Sequence, residues 1–273
     1  MAQKKMAVIN DLSGYGRCSL TVQLPLISSL GVQACPVPTG VFSNHTGYES
    51  YTSRDLTDYL PEYLLEWKKL GLKFDGICIG YLTSHTQIDA VKYLVSEFKA
   101  EECIVILDPV MGDDGRLYTG YSEQMAIELR GLLGYADIVT PNLTEACFLT
   151  GIPYRDHFLS EELTAMCQLI AESGPSEVVI TGVDKGDCLS NFCYSARTQT
   201  SFEVSKQTSG LYRPGTGDIF SGIVAADAIN GIDIAASVER AASFVAKCIK
   251  AADENEVEVL DGVCFEEFMK LDI

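Results

Sequence analysis

The 273-residue sequence holds no apolar run approaching the ~18–20 residues that a membrane-spanning helix requires. Its first residues, Met1 to Asn10, offer Lys4 and Lys5 followed only by apolar Met6–Ile9, too short for the core of a secretory signal, so a cytoplasmic location is expected. Positive charge is scarce: 20 Lys and Arg stand against 38 Asp and Glu, a formal net charge of -18. That field opposes broad binding to DNA, RNA or an anionic membrane, and no nucleic acid or membrane partner is expected. A small anionic ligand would need local help from backbone amides, a metal ion or a few placed cations. Histidine is rare, and His45, His85 and His157 are too scattered to suggest a metal cluster. The ten cysteines include no C-x-x-C pair, and most lie in apolar stretches such as Gly76–Ile79, which fits buried reduced thiols rather than a zinc site. Neither a G-x-x-x-x-G-K-[S/T] loop nor a G-x-S-x-G elbow is present, which excludes one large class of nucleotide enzymes and weighs against one class of hydrolases. Linker composition, low complexity and internal repeats are absent too, so residues 1–273 read as one domain.

Apolar residues make up 47% of the chain, enough for a sizeable core and too many for general disorder. They fall into short strand-type runs at Met6–Ile9, Gln33–Val37, Gly76–Ile79, Cys103–Leu107, Asp137–Val139 and Glu177–Ile180. Between the runs lie stretches with helical periodicity. Leu56, Tyr59, Leu60, Tyr63, Leu64 and Trp67 share one face, as do Ile88, Val91, Leu94, Val95 and Phe98. Strand alternating with helix predicts an α/β fold, a mostly parallel central sheet with helices on both faces. Leu189–Ser195 and Thr198–Val204, turning near Ala196 and Arg197, predict a short antiparallel pair. From Gly217 onward the pattern is helical, through Ile219–Ile229 and Ile234–Ala252, and the acidic run Asp253–Glu258 reads as a solvated surface stretch.

Ligands of open parallel sheets sit beyond the carboxyl ends of the strands, and four segments there are rich in Gly, Asp, Asn and Thr. Asn10–Ser19 half-resembles a dinucleotide fingerprint, with Gly14 and Gly16 but Ser19 in the third glycine position; no acid follows for a ribose, and a plain strand-to-helix turn fits better. Asp108–Gly115 crowds three acids into seven residues, which suits either a solvated loop or an edge facing magnesium. In Thr140–Glu145, Asn142 or Thr144 is suited to cap a helix with Glu145 in its first turn. Arg213–Gly222 sets two glycines directly before an apolar helix. Unpaired amides and the positive end of the helix dipole there would hold phosphate oxygens. The dipole would also keep Asp218 ionised and able to accept a proton.

Taken together, these residues resemble the ribokinase-type superfamily of small-molecule kinases. Gly215-Thr216-Gly217-Asp218 resembles its G-[TA]-G-D signature and Asn142-x-x-Glu145 its N-x-x-E motif. Within it, Phe42-Ser43-Asn44-His45-Thr46-Gly47-Tyr48 resembles the F-S-N-H-T-x-Y segment of the pyridoxal kinase family, whose members include those called pyridoxamine kinases. Asp108–Gly112 and Thr140–Asn142 match in the expected order, and the resemblance runs from about residue 6 to beyond 250.

The resemblance implies a ribokinase-like three-layer α/β/α sandwich and ATP-dependent phosphorylation of the 5′-hydroxymethyl group of a B6 vitamer. It also implies Mg2+, a homodimer and, in some relatives, a monovalent cation. By position it implies Asp218 as catalytic base within Gly215, Thr216 and Gly217, the glycines forming an anion hole. Asp108 and Glu145 would lie near the metal and ATP phosphates, with Thr140, Asn142 and Thr181 on the nucleotide side. Phe42, Thr46, Gly47, Tyr81 and Asp11 would face the vitamer.

Two departures stand out. Asp11 occupies a position where the family commonly has serine, and a lysine that bacterial members carry near Thr181 is missing, leaving Lys185 and Lys206 as substitutes. Lys206–Tyr212, just before the glycines, is flap material by position. Two other readings share the fold. One is a hydroxymethylpyrimidine kinase, disfavoured by Phe42–Tyr48 and by Asp218 where some of those relatives carry Cys. The other is a vitamer-binding protein without turnover, disfavoured by the presence of Asp218, both glycines and Glu145.

Overall fold

The structure, a computed structural model, describes residues 3–207 and 212–269; residues 208–211 of the expected flap lie outside the described residues. Each expected strand run lies in or beside a strand: β1 (Lys5–Ser13), β2 (Gln33–Phe42), β4 (Phe74–Ile79), β5 (Lys99–Leu107), β8 (Ile138–Val139) and β9 (Glu177–Asp184). Short apolar runs such as Met6–Ile9 make strands buried on both faces. The hairpin is present as β10 (Cys188–Ser195) and β11 (Thr200–Gln207), with its turn at 196–199. Because β10 also pairs antiparallel with β9, the hairpin extends the main sheet. Three very short strands carried no readable pattern: β3 (Ser53–Asp55), β6 (Gly112–Asp113) and β7 (Arg116–Leu117). The nine-stranded sheet runs β11-β10-β9-β8-β5-β4-β1-β2-β3, and β6-β7 form a separate hairpin.

Alternate residues of the strands enter opposite layers. Ala7, Ile9, Ile77, Ile79, Val105 and Leu107 pack on one side, against α2 (Leu60–Lys69), α3 (His85–Phe98), α4 (Glu123–Leu129), α5 (Leu143–Thr150) and α6 (Ser160–Ala171). Met6, Val8, Cys78 and Ile106 pack on the other, against α1 (Leu20–Ser29), α7 (Thr216–Ile229) and α8 (Ile234–Glu254). This is the three-layer arrangement of the ribokinase-like fold. Leu56 and Tyr59 precede α2 rather than belonging to it, and Tyr59 is half exposed. Helix α7, apolar nearly all round, is wedged between the sheet and α1 and α8. Gly76 of β4 faces the end of α7, where an added Cβ would meet Ile229 Cδ1 at 2.1 Å and force that side chain to shift.

The chain leaves β1 for β2 on one side and later returns to β4 on the other. That reversal opens a crevice at the carboxyl ends of β1 and β4, where open α/β sheets bind ligands. The expectation of a solvated 253–258 stretch fails at its first residue. Asp253 pairs with the buried guanidinium of Arg213 at 2.9 Å, and Arg213 also donates to the carbonyls of Val257 and Gly262, both at 3.1 Å. The ion pair ties the end of α8 to the turn before α7. Among the described residues no helix is long and apolar enough to cross a membrane, and all ten cysteines are unpaired.

Candidate active site

All fourteen residues singled out in the sequence line one cleft of about 680 Å³ at the carboxyl ends of the strands. Its floor is the start of α7. Gly215 caps the helix at φ 82, and a Cβ there would strike the Arg17 carbonyl oxygen at 1.8 Å, so only glycine fits. The first amide turned back into the helix is that of Ile219, bonded to Gly215 O at 3.0 Å. The amides of Thr216, Gly217 and Asp218 therefore have no acceptor within the helix. A Cβ on Gly217 would meet no protein atom within 4 Å, so the space in front of it is open. An N-terminal cradle of this kind suits an anion.

Asp218 is held from two sides. Asn10 Nδ2 donates to one carboxylate oxygen at 3.0 Å and the Ser19 amide donates to the other at 2.7 Å. Asn10 Oδ1 in turn accepts from the Tyr81 amide at 3.0 Å, which ties the side chain to the segment just after β4. Ser19 reaches Asp218 only by adopting φ 55 with ψ -139, a conformation that favours glycine. Asn10 and Ser19 are the positioning residues that sequence reasoning missed. The N-terminal loop is more than a strand-to-helix turn, because it wraps the carboxylate.

Burial pushes Asp218 up to about 6, with the Asp11 charge adding and the bonds from Ser19 and Asn10 opposing. Desolvation outweighs the helix dipole, so the group stands above the ordinary carboxylate value. The group is still mostly ionised at pH 7 and is well matched to taking up a proton.

Behind it lie Asp108 and Glu145, 6% and 3% exposed. Burial raises both; the charge of Asp218 raises Asp108 further, and that of Asp108 raises Glu145. Asn142 and Glu145 form the capping box of α5: Asn142 Oδ1 accepts from the Glu145 amide at 2.9 Å, and Glu145 accepts from the Asn142 amide at 2.8 Å. Glu145 also takes the Met111 amide at 3.1 Å, so the cap and the buried acid are one residue. Among the described residues no group of three His, Cys, Asp or Glu could hold a metal by itself. The pair does fit Mg2+, which binds through one or two carboxylates and otherwise keeps water and phosphate oxygens. Asp114 is exposed on the β6-β7 turn, so that part of the acidic segment is the solvated loop.

Thr140, 3% exposed, brings a hydroxyl with no hydrogen-bond partner to the cleft, and Thr181 bonds weakly to Pro141 O at 3.4 Å. At the other end Phe42 and Tyr81 meet edge to face, with centroids 6.2 Å apart, forming an aromatic wall beside Thr46 and Gly47. The substitute lysines are committed elsewhere: Lys185 pairs with Glu203 at 3.2 Å, and Lys206, which lines the cleft, pairs with Glu239. Eight acids and only two Lys or Arg line the cleft, so an anionic ligand there depends on amides and a bound cation.

A family model described as phosphomethylpyrimidine kinase matches residues 24–263. A crystal structure of a protein provisionally named a phosphomethylpyrimidine kinase, from Bacteroides thetaiotaomicron, superposes with a TM-score of 0.96 at 37% identity, covering 100% of this chain and 96% of that one. An orthorhombic form under the same name, with pyridoxal, gives 0.94 at 38%, covering 97% and 94%. The pyridoxal kinase of Arabidopsis thaliana is 27% identical over 224 residues, 79% of this chain and 70% of that protein.

Proposed function

The chain belongs to the phosphomethylpyrimidine kinase family, and from that premise we propose that it transfers the terminal phosphoryl group of ATP to the 5′-hydroxymethyl group of a B6 vitamer, pyridoxal, pyridoxamine or pyridoxine. The observation that carries the reading is the meeting of an open amide cradle at Gly217 with the buried, twice-bonded carboxylate of Asp218. Phosphoryl transfer needs positioning and charge neutralisation more than covalent help. The aromatic wall of Phe42 and Tyr81 orients the ring. Asp218 accepts the hydroxyl proton, and the amides of the first turn of α7 take the charge on the transferring group. Asp108, with Glu145 beside it, would hold Mg2+, which would neutralise charge on the phosphate oxygens. Thr140 and Thr181 lie on the nucleotide side. The homodimer and the cytoplasmic location belong to the same proposal.

The alternative acceptor, hydroxymethylpyrimidine, is favoured by the description of the family model. The Phe42–Tyr48 segment and a 38%-identical structure with pyridoxal favour the vitamer. Product formation from ATP with each vitamer and with the pyrimidine decides. Phosphorylated vitamer is expected, and saturable transfer to none of the three vitamers would reject the reading.

A further inference from the structure

Asp11 lines the cleft at the point where the ladder between β1 and β2 slips. It is 6% exposed. Ser19 Oγ donates to one carboxylate oxygen at 2.5 Å and Ser13 Oγ to the other at 2.8 Å. Neither hydroxyl brings charge. No lysine or arginine pairs with Asp11 among the described residues, and Asp218 is a second negative group in its surroundings. His45 is the basic residue of the neighbouring loop. Its ring accepts from the Gly47 amide at Nδ1, at 3.2 Å, which leaves Nε2 to donate to Leu260 O at 2.7 Å, so the ring is occupied on both sides. A buried carboxylate with no paired lysine or arginine is costly, and burial raises it above the ordinary carboxylate value, with the serine bonds and, last, His45 opposing. A chain keeps such a group where a ligand supplies the missing charge.

We propose that Asp11 reads a cationic nitrogen of the substrate, so that the cleft selects protonated pyridines or aminomethyl pyridines over neutral rings of the same shape. This rests on the vitamer kinase reading. The cation has two sources, the ring N–H, which all three vitamers can carry, and the aminomethyl ammonium of pyridoxamine alone.

The test is Asp11→Asn, which keeps the shape and removes the charge, with Asp11→Ser as the second variant should the first fail to fold. KM is measured for pyridoxal, pyridoxine and pyridoxamine, together with Ki for 3-(hydroxymethyl)phenol, which lacks both nitrogens. Loss of a charged hydrogen bond should raise vitamer KM roughly ten- to a hundredfold, with the phenol Ki unchanged within about twofold. A rise for all three vitamers assigns the ring nitrogen, and a rise for pyridoxamine alone assigns the amine. Equal changes in KM and the phenol Ki would reduce Asp11 to a support for Ser19, and unchanged KM for every vitamer would remove it from recognition; either overturns the proposal. Should the parent enzyme phosphorylate no vitamer, the kinase reading falls alone, and equilibrium binding of the same compounds to parent and variant then decides the role of Asp11.

Discussion

The most direct consequence of the site is a pH profile with an acid limb set by Asp218. Burial places this group at about 6, against an ordinary value of 3.8. A base must be ionised to work, so activity is retained above that value and lost as pH falls through it. The ionised fraction is about nine-tenths at pH 7 and about one-tenth at pH 5, so kcat/KM for the vitamer should fall roughly tenfold between them. An ordinary carboxylate would lose less than about a tenth of its ionised fraction over that range. Two variants should move the limb in opposite directions. Asn10→Ala removes a bond of 3.0 Å to the charged form and should shift it upward. That bond is worth about 1.5–3 kcal/mol, or about one to two pH units at most. Asp11→Asn removes a neighbouring negative charge and should shift it downward. The assay is initial rate against pH with ATP, Mg2+ and one vitamer. A flat profile down to pH 5, or limbs unmoved in both variants, would refute the assignment of the base and its environment.

Asp218→Ala should lower turnover by at least ~10²-fold, with vitamer binding largely intact by calorimetry. Gly215→Ala and Gly217→Ala should separate fold from function. The first drives a Cβ to 1.8 Å from Arg17 O and should lower Tm sharply. The second meets no protein atom, should leave stability equal or raise it by up to about 1 kcal/mol, and should weaken nucleotide binding. Asp108→Asn should raise the Tm of the ligand-free protein at pH 7.5 while abolishing turnover. A carboxyl raised by burial favours folding while protonated, and that stability is lost as pH rises through its shifted value. Removing the charge returns it, at about 2–4 °C per kcal/mol for a chain of roughly this size; an unchanged or lower Tm would contradict the raised value. Breaking the Arg213–Asp253 pair by Arg213→Met should cost about 3–5 kcal/mol, read by denaturant unfolding.

Strand runs, helix faces and the glycine-acid segments depend on local periodicity and turn chemistry, so they are legible along the chain. Met6–Ile9 and Cys103–Leu107 are strands because nothing in them suits a helix end or a turn, and Gly215-Thr216-Gly217-Asp218 marks a helix start wherever the chain is folded. The composition likewise required amides or a cation at any anionic site. The sequence offered Asn142 as a cap with Glu145 in the first turn, but did not disclose that Glu145 is buried, that Asp253 leaves its acidic run to pair with Arg213, or that Lys185 and Lys206 are already paired. Nor did it disclose Asn10 and Ser19 as the groups that hold Asp218. Those roles depend on contacts across some 200 residues of chain, such as Asn10 with Asp218 at a separation of 208. Desolvation, the largest influence on Asp218, exists only once strands, helices and loops enclose it. Local pattern determined which elements form; burial, which no local pattern encodes, decided the chemistry of their side chains.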